Sequence, residues 1–95
     1  MIARFETVLW QSPSSWWFIT VPEELSEQIR SEPRPPAPGF GSLRVSVTLG
    51  STVWATSVFP DSKSGCYVLP VKKAVRVSEH LADGDTVRVE LEVLE

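Results

Sequence analysis

Leu43-Arg44-Val45-Ser46-Val47-Thr48-Leu49-Gly50-Ser51-Thr52-Val53-Trp54-Ala55-Thr56-Ser57-Val58-Phe59 decides the fold class of this 95-residue chain. Two alternating runs rich in β-branched residues flank Gly50-Ser51, a dipeptide compatible with a two-residue primed turn, so they are predicted to pair as an antiparallel hairpin. The turn sets the register. Pairing Leu49 with Thr52 places Leu43, Val45, Val47 and Leu49 on the face shared with Trp54, Thr56 and Val58, and turns Arg44, Ser46 and Thr48 away. Trp54 is therefore an expected core residue.

The same period of two recurs on both sides of this hairpin. Residues 2–10 carry Ala3, Phe5, Thr7 and Leu9 on one side and Arg4, Glu6, Val8 and Trp10 on the other. At the other end, Val87, Val89, Leu91 and Val93 alternate with Thr86, Arg88, Glu90 and Glu92. Trp16 to Val21 and Cys66 to Leu69 read as shorter strands, the first returning from the turn-rich Gln11-Ser12-Pro13-Ser14-Ser15.

Two helices are expected. Pro22 suits a first helical position, Glu23, Glu24 and Glu27 favour the positive end of the helix dipole, and Leu25 and Ile29 give one apolar stripe, so a helix is predicted up to Ser31. Pro70 is read in the same way, with a second helix over 71–81 carrying Ala74, Val75 and Leu81. Ser31 to Gly41, with four prolines, is expected to be an extended internal loop.

Written side by side, the halves follow one plan of strand, strand, helix, strand: half one at about 1–49 and half two at about 50–95, with the two prolines taken as the register. Neither half can cover its own apolar face, and intertwining them closes a barrel and removes exposed edges. The expected fold is all-β with two short helices, a single closed barrel domain spanning 1–95.

Gly65-Cys66-Tyr67-Val68-Leu69-Pro70-Val71-Lys72-Lys73-Ala74-Val75-Arg76, then Gly84-Asp85-Thr86-Val87, with Trp16-x-Phe18-Ile19-x-Val21-Pro22 upstream, resembles a bacterial and archaeal family of domains of unknown function. Members of that family are sometimes fused to a YdeI/OmdA-type bacteriocin-protection segment, which these 95 residues do not contain. The resemblance implies a double-split β-barrel of two pseudo-symmetric halves, related to the swapped-hairpin barrels of AbrB, MazE and MraZ proteins. It implies a fold and leaves the activity open.

Composition narrows the function classes. A formal net charge of −3 opposes a dedicated nucleic-acid binder, whose affinity comes largely from Lys and Arg at phosphates. The first helix, with Glu23, Glu24 and Glu27, would repel a phosphate backbone. Cys66 and His80 are each the only one of their kind, so no disulfide, metal cluster or catalytic triad is legible. No apolar run approaches the ~20 residues that span a bilayer. The opening residues enter a strand directly instead of a secretory leader pattern, so the expected location is cytoplasmic. Gly39-x-Gly41 precedes a strand, the wrong context for a nucleotide loop, and no cofactor is expected.

Lys72, Lys73 and Arg76 form the one dense basic group, and on a helix Lys72 and Arg76 are i, i+4 neighbours able to present two charges to one anion. Their ordinary role is a solvated helix face. Trp10 and Trp16, beside Trp17 at one hairpin turn, are candidates to line a groove, although large aromatics also fill small barrels. Tyr67 is a candidate hydroxyl beside Lys72 or Arg76. Asp61 and Asp85 are more simply turn residues than an acid–base pair. The function expected from these residues is a non-catalytic binding module for a small anion or a protein partner, as a monomer or weak homodimer. The alternatives are an AbrB-like DNA-binding regulator and a stress- or bacteriocin-response component.

Overall fold

The computed structural model describes residues 2–32 and 41–94. Its elements are β1 (Ile2–Gln11), β2 (Trp17–Thr20), α1 (Glu23–Ser31), β3 (Leu43–Leu49), β4 (Thr52–Pro60), β5 (Tyr67–Pro70), α2 (Lys73–Ser78) and β6 (Thr86–Val93). The strands close into a barrel in the order β1-β2-β5-β4-β3-β6. Every recorded pairing is antiparallel. The chain is therefore mostly β, with two short helices, as the alternation predicts. The proline-rich segment expected at 31–41 falls largely on residues 33–40, outside the described residues.

The hairpin that decides the class forms in the expected register, with Leu49 opposite Thr52, Val47 opposite Trp54 and Leu43 opposite Val58. Gly50 supplies the positive φ, +61°, that the turn requires. Alternation then buries Leu43, Val45, Val47 and Leu49 from β3 and Val87, Val89, Leu91 and Val93 from β6. Leu9, Ile19 and Leu69 join the core from β1, β2 and β5, with Val58 from β4, Ile29 from α1 and Val75 from α2. Trp54, expected inside, is only half-buried: it packs on the core with one part and opens to solvent with the rest.

Two strands each change partner along their length. β1 pairs with β6 from Ile2 to Val8 and with β2 from Leu9 to Gln11. β4 pairs with β3 from Thr52 to Val58 and with β5 only at Phe59 and Pro60. The second switch has a chemical reason. The register that puts Phe59 opposite Val68 would next put Ser57 opposite Pro70, which has no N–H to donate, so the ladder ends and the strands part.

The helices differ from expectation in instructive ways. α1 spans the residues predicted, but Pro22 occupies its N-cap position (φ −52°, ψ 149°) instead of the first helical residue. Pro70 belongs to β5, opposite Phe18, and the N-cap of α2 is Lys72. The two prolines are thus not equivalent. At the ends of β2 and β5, Val21 N–H donates to the Tyr67 carbonyl, 2.8 Å, and Val71 N–H to the Trp17 carbonyl, 2.9 Å.

α2 is also shorter than the 71–81 expected. Val71 is held extended by its bond to Trp17, and the far end closes in a Schellman arrangement: Leu81 N–H donates to the Arg76 carbonyl, 2.8 Å, and His80 N–H to that of Val77, 3.3 Å. His80 takes the left-handed position at φ +55° where glycine is usual. Ala74 is exposed, whereas Val75 is buried.

Glu79 clamps the end of α2 to the β3–β4 turn. Its carboxylate accepts from the Thr52 hydroxyl at 2.6 Å and the Ser51 hydroxyl at 3.2 Å. The Thr52 bond, followed by those of Ser51, holds its pKa below the usual 4.5 despite partial desolvation. Asp61 is likewise depressed below 3.8, chiefly by the Ser64 hydroxyl. A depressed folded-state pKa contributes stability that is present above the unfolded value and is lost as pH falls through the folded one. The melting temperature is therefore expected to fall as the buffer is taken below about pH 4.5, and Glu79→Gln should flatten part of that slope. A variant with the wild-type slope would show that the clamp makes no difference between the folded and unfolded chains.

Candidate functional site

The basic group legible in the sequence does not act as one. Lys72 caps α2, outside its helical turns, so the i, i+4 spacing to Arg76 does not place both side chains on one face. Arg76 turns back onto the barrel, its guanidinium 4.6 Å from the centre of the Trp17 ring, a cation–π distance. Its Nε is buried and has no hydrogen-bond partner among the described residues. Arg76 thus fastens α2 to β2. Lys72 and Lys73 remain exposed, and neither makes an ion pair among the described residues.

Tyr67 is almost fully buried, and the cation over its ring is Arg30 of α1, 5.7 Å from the centroid. Trp10 packs against Phe18, with ring centres 5.1 Å apart, and its indole N–H donates to the Thr20 hydroxyl at 2.9 Å. Of the candidate aromatics, Trp16 behaves differently: expected to open a strand, it lies just before β2, which begins at Trp17, and is 63 % exposed. Asp61 and Asp85 each hold their own turn, Asp61 through Ser64 and Asp85 through the Ala82 N–H at 2.8 Å. They form no acid–base pair.

Trp16 and Lys72 meet in a groove of about 240 Å3 whose other walls are Trp54, Ala55, Thr56, Pro70 and Val71. It lies where β4 parts from β5, so the absence of an N–H on Pro70 opens the wall that Trp16 and Trp54 flank. The volume falls below the roughly 300–1,000 Å3 of sites for drug-sized ligands. It suits one side chain or a small planar group. An apolar floor with a single unpaired ammonium favours a ligand that couples an apolar group to an anion.

A larger depression, about 620 Å3, is lined by Arg4, Phe5, Glu6, Thr48, Gly50, Arg88, Val89 and Glu90. Its charges neutralise one another across β1 and β6: Arg4 Nε lies 2.7 Å from Glu90 and Arg88 Nε 3.1 Å from Glu6. Exposed pairs of this kind contribute little and leave no net charge for a ligand to read. Size alone does not make it the better site.

The residue that sequence reasoning missed is Ser26, the sole fully buried polar side chain among the described residues. Its hydroxyl donates to the Val21 carbonyl and accepts from the Tyr67 N–H, both at 3.0 Å, which splices α1 into the junction of β2 and β5. Three residues before buried Ile29, it shares that apolar stripe, and this was the available signal.

Among the described residues no group of three His, Cys, Asp or Glu could hold a metal ion, and no helix is long and apolar enough to cross a membrane. No curated protein matches the sequence. A family model for a domain of unknown function, DUF1905, matches residues 5–91, and with most of its length covered the chain belongs to the DUF1905 family.

Proposed function

We propose that this protein is a non-catalytic, cytoplasmic binding module that takes a small anionic group, free or on a protein partner, into the Trp16–Trp54–Lys72 groove. The observation that carries this reading is the company Trp16 keeps. A largely exposed tryptophan and a half-buried one line the same groove, beside a lysine that makes no ion pair among the described residues. Exposed aromatic surface costs solvation free energy, and aromatic residues are enriched where partners dock.

We also propose that the barrel is of the double-split kind, with halves at about 1–49 and 50–95 related by a pseudo-twofold axis. Exchanging β1, β2 and β3 for β4, β5 and β6 leaves the strand order unchanged, which supports both the repeat and the kinship with AbrB-like barrels. A part in stress or bacteriocin response would run through the same groove, by protein contact.

The test is a titration of tryptophan fluorescence with acetyl-Phe-Asp and its uncharged counterpart acetyl-Phe-Asn-amide. The acidic dipeptide is expected to quench saturably and to bind about tenfold tighter than the neutral one, with Trp16→Ala and Lys72→Ala each weakening it by a similar factor, ~1.4 kcal/mol. Equal affinities, or binding untouched by both substitutions, would contradict the reading. Duplex DNA at low salt is expected to leave the fluorescence unchanged. Salt-sensitive saturable binding would instead favour an AbrB-like regulator.

A further inference from the structure

The groove is bounded on one side by unused backbone. In the two-residue hairpin, Leu49 and Thr52 form the closing hydrogen-bonded pair, so by alternation Thr52, Trp54, Thr56 and Val58 point their backbone groups at β3. Val53, Ala55, Ser57 and Phe59 point theirs the other way. Only the last reaches a strand there, through its pairing with Val68. The bond from Asp61 N–H to the Cys66 carbonyl, 2.9 Å, fixes the same alternation from the far end. By this alternation the N–H and carbonyl of Ala55, which lines the groove itself, turn to the side where, among the described residues, β4 pairs with a strand only at Phe59 and Pro60.

Resting on the function just proposed, we infer that the groove's ligand is an extended acidic peptide that adds as a strand to the free edge of β4. Its backbone would bond to Ala55 and the neighbouring odd-numbered residues, as in other cases of strand addition. One apolar side chain would enter between Trp16 and Trp54, which the groove's volume suits. Period-two alternation sends the residues flanking that side chain to the opposite face, and an acidic residue near the chain's exit from the groove would meet Lys72 and Lys73. Charge selects the partner: among the described residues these two exposed lysines have no acid paired to them, whereas the arginines of the larger depression are each matched. A basic segment would be repelled by the two lysines, and a nucleic acid, although anionic, would meet a protein of net charge −3.

The probe is the capped hexapeptide acetyl-Glu-Phe-Val-Glu-Val-Thr-amide, added to the wild-type protein and followed by tryptophan fluorescence and by amide hydrogen exchange. Saturable binding that slows exchange at the Ala55 amide by tenfold or more, while Trp54 and Thr56 change little, is the expected result. Binding without any slowing at Ala55 would overturn strand addition and leave the groove standing. Failure of the hexapeptide where acetyl-Phe-Asp still binds would do the same. Failure of both peptides would remove the groove reading together with this one.

Discussion

Ile19→Ala is expected to cost about 3–5 kcal/mol, the upper part of the range for buried isoleucine. Ile19 is fully buried and sits opposite Leu9 of β1 and Leu69 of β5, both equally buried. A cavity at that point adjoins the two short strands, β2 and β5, that link β1 to β4, where few other pairs can compensate. Stability of a chain this size is only about 5–15 kcal/mol, so the variant should unfold at a much lower urea concentration with an unchanged slope. Ile19→Val removes one methylene and is expected to cost about 1 kcal/mol. A loss below 1 kcal/mol for Ile19→Ala would mean that the β2–β5 junction is not part of the continuous core.

Ser26→Ala should be the most damaging loss of a single polar atom, at about 1–3 kcal/mol. The hydroxyl serves two backbone groups at once, the Val21 carbonyl and the Tyr67 N–H, in a site with no access to water. Its removal orphans both groups, and one buried unsatisfied group costs about 1–3 kcal/mol when relaxation cannot re-pair it. Direct closure of Val21 onto Tyr67 would offset part of this, since the reciprocal bond between those residues already exists at 2.8 Å. Denaturant unfolding reads the effect. A change under 0.5 kcal/mol would show that the strands close without the serine.

Local rules made much of the fold legible. Alternation along 43–49 and 86–93 needs only a two-sided sheet, and the Gly50 turn fixes one register, so both strands and the buried faces followed from the residues themselves. α1 followed from Glu23, Glu24 and the Leu25–Ile29 stripe. The limits of α2 did not, because Val71 is held by a carbonyl from a distant strand and His80 closes the helix without the glycine that usually marks such an end. The parting of β4 from β5 was unreadable for the same reason: Pro70 has its effect only once Ser57 is known to lie opposite.

The candidate site was legible residue by residue but not as an assembly. Trp16 and Lys72 were both singled out, yet their meeting depends on the β2–β5 pairing, which no local pattern encodes. Trp54 was read as core because alternation assigns a face and not a depth. Arg76 was drawn toward solvent by a spacing rule that presumes a helix already begun at Lys72, whereas the Trp17 ring was there to receive it. Tyr67 and Trp10 were absorbed by packing, which sequence cannot tell from recognition when the residue is aromatic.

Strand addition in the groove needs the edge of β4 beside Trp16, Trp54 and Lys72 to be free. Amide hydrogen exchange of the unliganded protein at Trp54, Ala55 and Thr56 tests this most directly, because the three residues are consecutive and differ only in the side to which their backbone points. Fast exchange at Ala55 between two protected neighbours is the predicted result. Equal protection at all three would mean that the edge is already occupied, and the groove would then have no backbone to offer a partner.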